Sequence, residues 1–146
     1  MISMLYNIID ICNYIINHED TMGRSVSNLR LQKLLYFVQA QFLVAKNEPC
    51  FADTIEAWDF GPVVPNAYHH YKIYGGSIIP ASTKAINLPA CDKSLIDQIL
   101  DQCAKFSTTA LVSITHHQEP WINARKSLNN VISLESIKKF FDVKEN

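Results

Sequence analysis

The sequence predicts a mainly α fold, a single compact helical domain over residues 1–146 arranged around a central helix, with a minor short β element. Three observations lead there. Apolar residues recur at helical spacing through most of the chain. One run, 28–46, is apolar on nearly every side, as expected of a helix surrounded by other elements. Alternation of the strand kind is confined to residues 54–60.

Taken in order, Leu5, Ile8, Ile9, Cys12, Ile15 and Ile16 line one stripe of a first amphipathic helix. Residues 18–26 are polar and contain Gly23, and Ser27 stands where its side chain would cap the next helix. That helix, expected from about Asn28 to Lys46, carries Leu31, Leu34, Leu35, Val38, Phe42 and Ala45 on one face and Tyr36, Phe37, Leu43 and Val44 elsewhere, which makes it the candidate centre of the fold. Pro49 keeps it from continuing. The 54–60 run should form a short strand, broken by a turn at Gly61-Pro62 that presents Trp58. Pro65 opens a short helix reaching Tyr74, closed by Gly75-Gly76. Residues 77–88, with Pro80 and Ser82, suit a loop or small hairpin. Asp92 is the expected cap of a helix bearing Ile96, Ile99, Leu100 and Cys103. Ser107 should cap a short helix that stops near Glu119, since a residue before proline avoids helical angles. Pro120 then opens a helix through Trp121, Ala124 and Leu128, and Ser133 caps a last one bearing Leu134, Ile137, Phe140 and Phe141.

Composition narrows the function classes. A chain of 146 residues that is 48% apolar and 18% charged buries a real core without metals or disulfides. Thirteen Lys and Arg against fourteen Asp and Glu give a net charge of −1, which supplies no field for a polyanion, so nucleic acid is not the favoured partner. Cys12, Cys50, Cys91 and Cys103 are far apart and form no CxxC pair, so free thiols in a reducing cytoplasm are expected. The apolar opening MISMLYNIIDICNYII is interrupted by Asn7, Asp10 and Asn13 and lacks the basic start and cleavage site of a secretory signal. No segment supplies the roughly 18 uninterrupted apolar residues of a membrane span, and a cytoplasmic protein is expected.

Three runs carry a family resemblance. The first is Ser27-Asn28-Leu29-Arg30-Leu31-Gln32-Lys33-Leu34-Leu35-Tyr36 with Gln39-Ala40. The second is Ile55-Glu56-Ala57-Trp58-Asp59-Phe60-Gly61-Pro62-Val63-Val64-Pro65, followed by Tyr68 and Tyr74-Gly75. The third is Leu111, Thr115-His116, Glu119-Pro120-Trp121 and Ala124-Arg125. In this order, across about residues 27–126, they resemble the Panacea antitoxin domain family, the SocA-like and phage-associated GepA-type proteins. The resemblance implies an antitoxin that neutralises a toxin by direct protein binding. The toxin is usually encoded beside it and is unrelated from one family member to another, and a phage or prophage setting is common. It implies no cofactor and no enzymatic activity.

Several side chains invite a chemical reading. His116, His117 and Glu119 are good metal ligands in type, yet only His116 and Glu119 share a helix face, and two ligands are too few. No local motif links a cysteine to a histidine as nucleophile and base, and Gly75-Gly76 lacks the lysine of a phosphate loop. No catalytic, metal or cofactor residue is therefore assigned. The candidates for partner binding, or for holding the surface that does it, are Lys33, Trp58, Gly61, Pro62, Thr115, His116, Glu119, Trp121 and Arg125, with Glu119 and Arg125 able to bond across the Pro120 turn. Two other functions compete with the antitoxin: a small DNA-binding regulator acting through Arg24, Arg30 and Lys33, and an adaptor that delivers its partner to a protease. Oligomeric state is not written in the sequence.

Overall fold

Eleven short elements follow one another in this computed structural model, which describes residues 5–84 and 86–145. Among the described residues there are seven α-helices: α1 (Ile8–Thr21), α2 (Asn28–Lys46), α3 (Pro65–Tyr71), α4 (Ala90–Cys103), α5 (Thr108–His116), α6 (Glu119–Arg125) and α7 (Leu134–Glu145). Strands β1 (Ile55–Trp58), β2 (Gly61–Val63) and β3 (Val131–Ile132) form an antiparallel sheet ordered β2-β1-β3, and one 3-10 turn, Lys72–Tyr74, extends α3. The fold is mainly α with a minor β element, as the periodicities predicted. No helix is long and apolar enough to cross a membrane among the described residues.

Helix α2 is the centre. Alpha-helices α1, α3, α4, α5 and α7 and strand β2 all pack on it, and Leu31, Leu34, Leu35, Tyr36 and Val38 are shut off from water. Its ends are where the sequence put them: the Ser27 hydroxyl accepts from the Arg30 amide at 3.2 Å, and Asn47 closes the helix in a left-handed conformation at φ 56°. A helix enclosed on all sides buries its polar residues too, and each must find a partner. Gln39 accepts from the Cys50 amide at 2.8 Å and donates to the Phe51 carbonyl at 2.8 Å, holding the chain that returns from α2. Arg30 donates to the Cys103 carbonyl at the end of α4 and to Thr108 on α5.

Several boundaries differ from expectation, each for a physical reason. Helix α1 begins after Asn7, whose side chain accepts from the Ile9 and Asp10 amides, so Leu5 is left outside and exposed. It runs on to Thr21, through residues expected to be loop, because Glu19 is buried and bonded to Arg24 at 2.6 Å. Asp92 caps nothing. Helix α4 starts at Ala90 behind Pro89, and Asp92, in its first turn, accepts instead from Lys46 at 2.7 Å and from the Tyr6 hydroxyl. Leu128 lies beyond the end of α6 and is fully exposed. The expected caps Ser107 and Ser133 accept from the Ala110 and Ser136 amides, each at 3.1 Å. The described part of 77–88 is loop, tied down where Ile79 donates its amide to the Val26 carbonyl at 2.8 Å.

Gly61 and Pro62 are strand residues, where a turn was expected. The turn is Asp59-Phe60, joining β1 to β2 with Trp58 paired to Gly61 and Ala57 to Pro62. At that register Pro62 directs its main chain away from β1, so its missing N–H removes no ladder bond. Its carbonyl, facing α2, accepts from Lys33.

Candidate functional site

The hairpin β1–β2 is where the three sequence runs meet. From below, Lys33 on α2 sends its ammonium to the Pro62 carbonyl at 2.7 Å. Gln32, one residue earlier, accepts from the Val64 amide at 2.9 Å while donating to Asn28 at 2.9 Å. Together these two side chains occupy outward main-chain groups of Pro62 in β2 and of Val64 just past its end. Lys33 is fully buried with no carboxylate beside it among the described residues, and burial lowers its pKa from the ordinary 10.5 to about 7.

Room for the lysine stem comes from Gly61. A Cβ at this position would lie 2.8 Å from Cε of Lys33 and 2.9 Å from Oγ1 of Thr115, and the backbone sits at φ 106°, a region L side chains rarely adopt. Thr115 is itself buried at the end of α5, donating its hydroxyl to the Val112 carbonyl at 2.8 Å. Lys33, Gly61, Pro62 and Thr115 thus form one tightly packed joint between α2, β2 and α5.

From the other side, α5 and α6 hold the hairpin by its main chain. His116 Nε2 lies 2.8 Å from the Asp59 carbonyl, and Trp121 donates its indole N–H to the Trp58 carbonyl at 2.9 Å. Arg125 donates to the Ala57 carbonyl at 3.1 Å and to the Asp59 carboxylate at 2.8 Å. The rings of His116 and Trp121 pack 4.3 Å apart, and the Arg125 guanidinium lies 5.5 Å from the Trp121 ring. The bond expected between Glu119 and Arg125 does not form. Arg125 reaches across to the hairpin, where a carboxylate and a carbonyl are both in range, and Glu119 stays exposed at the start of α6. His117 is drawn the other way, onto the Ser113 carbonyl at 2.7 Å, so the adjacent histidines diverge.

Trp58 is half-buried, its N–H on Glu56 at 2.8 Å and its ring edge-on to Tyr68 with centroids 5.0 Å apart. Phe60, at the hairpin tip, is 66% exposed. Beside it a groove of about 460 Å³ runs between the hairpin, the start of α2 and the end of α3, lined by Leu29, Trp58, Phe60, Val63, Tyr68 and Lys72 among others.

Eight of the nine residues named from the sequence, all but Glu119, lie at this hairpin, and the sequence did not say what connects them. It missed Asp59, which answers both Arg125 and His116. It also missed Asn130, which donates its amide to the Ala57 carbonyl from a left-handed backbone at φ 63° and lends its own carbonyl to the Ala57 amide at 2.8 Å. The Asn129-Asn130 pair ahead of Val131 was the available signal, since asparagine tolerates that conformation. Arg24, Arg30 and Lys33 share no exposed basic surface among the described residues: Arg24 bonds Glu19 and Asp101, Arg30 is buried on Cys103 and Thr108, and Lys33 is inside.

The profile of the antitoxin SocA-like, Panacea domain matches residues 31–122, a span that opens on the polar spokes of α2 and closes just past Trp121. Antitoxin SocA of Caulobacter vibrioides (strain NA1000 / CB15N) is 32% identical over 124 residues, covering 76% of this chain and 66% of that protein, so the chain spans just under two thirds of its relative. No solved structure matches the chain. Matched by the family profile over more than half its length, the chain belongs to the SocA-like Panacea antitoxin domain family.

Proposed function

We propose that this chain is an antitoxin that neutralises a partner toxin by binding it directly, in the cytoplasm, without catalysing a reaction. One observation carries the reading beyond family membership. The hairpin is held rigidly by Lys33, Gln32, His116, Trp121 and Arg125, and what it offers to solvent is an apolar tip, Phe60, beside an apolar groove. A rigid scaffold presenting apolar surface is the arrangement of a protein-binding site, because little order is lost when a partner covers it. The motif residues then act mostly from behind: Lys33, Gly61, Pro62, Thr115, His116, Trp121 and Arg125 set the position of the hairpin, and Trp58 contributes to the contact face. Glu119 belongs to a different surface, a shallow cleft shared with Ser133 and Lys139.

The toxin is sought first in the product of the adjacent open reading frame. Coexpression should restore growth, and the two proteins should elute as one complex in size-exclusion chromatography. Absence of both rescue and complex removes the proposal. Masking and delivery to a protease separate by the partner's half-life, which masking leaves unchanged or lengthens and delivery shortens.

A further inference from the structure

The groove beside Phe60 has features that select among occupants. Its walls are apolar: Leu29 from α2, Trp58, Phe60 and Val63 from the hairpin, and Tyr68 from α3. The polar groups near its floor are already satisfied, Asn28 donating to the Tyr68 carbonyl at 3.1 Å and Gln32 engaged with both Asn28 and Val64. The neighbouring strand edge is closed as well. Lys33 and Gln32 take the Pro62 carbonyl and the Val64 amide, the groups that an added strand would need. An extended peptide laid along β2 would leave its own N–H and C=O groups desolvated and unmatched. A helix carries its hydrogen bonds internally and loses nothing of this kind.

Charge narrows the choice further. Lys72 is the one charged side chain lining the groove, and among the described residues it has no carboxylate partner. The 3-10 turn that carries it also carries Ile73, 86% exposed. We propose that this groove receives an amphipathic α-helix of the partner protein. Its apolar face is seated among Leu29, Trp58, Phe60, Val63 and Tyr68, and a carboxylate flanking that face pairs with Lys72. The inference rests on the partner-binding function proposed above and specifies its surface.

The test uses the full chain and the adjacent gene's product, with three variants: Phe60→Asp at the tip, Lys72→Glu at the rim, and Leu128→Asp as a control on a fully exposed residue outside the groove. Phe60 and Lys72 are both exposed, so neither change disturbs the core. Phe60→Asp and Lys72→Glu should each weaken the complex by at least about tenfold, and Leu128→Asp should not. Hydrogen exchange on the toxin should map protection to a helical segment with an acidic residue, and reversing that residue to lysine should restore binding to Lys72→Glu. Undiminished binding by both groove variants overturns the docking site and leaves the antitoxin reading standing. A wild-type chain that forms no complex overturns both. Protection of an extended or basic toxin segment overturns the acidic helix. So does a chain that dimerises alone and becomes monomeric on Phe60→Asp, because a second copy then fills the groove.

Discussion

Replacing Lys33 by methionine should remove a specific pH dependence from the stability of this protein. The wild-type ammonium is fully buried with one carbonyl partner, and its pKa falls to about 7 in the folded chain against 10.5 in an exposed lysine. The folded pKa lies below the unfolded one, so between these values the unfolded chain binds more protons and stability rises with pH. At pH 6 the native lysine is mostly protonated and nearly the whole burial penalty is present. At pH 8 it is mostly neutral and the first part of the penalty is relieved, the rest following only as pH rises toward 10.5. Proton linkage over that interval gives about 1 kcal/mol. Methionine fills similar space with no titrating group, but it leaves the Pro62 carbonyl without its donor, at a cost of about 1–3 kcal/mol that is the same at every pH. The informative quantity is therefore the difference between wild type and Lys33→Met at two pH values. Contributions common to both proteins cancel in this difference. Urea unfolding followed by the fluorescence of Trp58 and Trp121 at pH 6 and pH 8 measures it. A wild-type advantage that grows by about 1 kcal/mol on going to pH 8 is expected. A difference that stays constant would refute the dry, unpaired lysine and with it the description of the joint beneath the hairpin.

Other consequences follow from the same contacts. Gly61→Ala should destabilise the fold by roughly 1–3 kcal/mol in a thermal or urea melt, because the new methyl meets Lys33 and Thr115 below 3 Å at a backbone angle alanine avoids. Arg125→Ala removes two bonds to the hairpin from a partly exposed side chain. Global stability should fall by no more than about 1 kcal/mol, while amide exchange around Asp59 and Phe60 speeds up severalfold. Native protein should react with a thiol reagent at Cys91 alone, and at all four cysteines once unfolded. Burial encloses Cys12, Cys50 and Cys103 and pushes their thiols upward, while Cys91 is exposed.

Much of this architecture was legible because it is local. The stripe of α1, the Ser27, Ser107 and Ser133 caps, the extent of α2 and its central position follow from periodicity and from the short-range competition for free helix amides, which neighbouring residues decide. The burial of Gln32, Lys33 and Gln39 was not read from the sequence, which offered Lys33 to a partner or to DNA, although a helix with no wet face has nowhere else to put them. What those polar groups bond to was beyond local reading. Asp92 serves Lys46 across 46 residues, Arg125 bonds Asp59 in place of Glu119, and Pro62 is a strand residue because its register turns its main chain toward Lys33. Periodicity and capping set which segments are helical and which helix is enclosed. Long-range packing chose the partners of the buried polar groups, and with them the placement of Phe60 and Lys72 around one groove. A buried donor takes whichever acceptor the packing of distant elements brings within 3 Å, and no spacing along the chain encodes that distance.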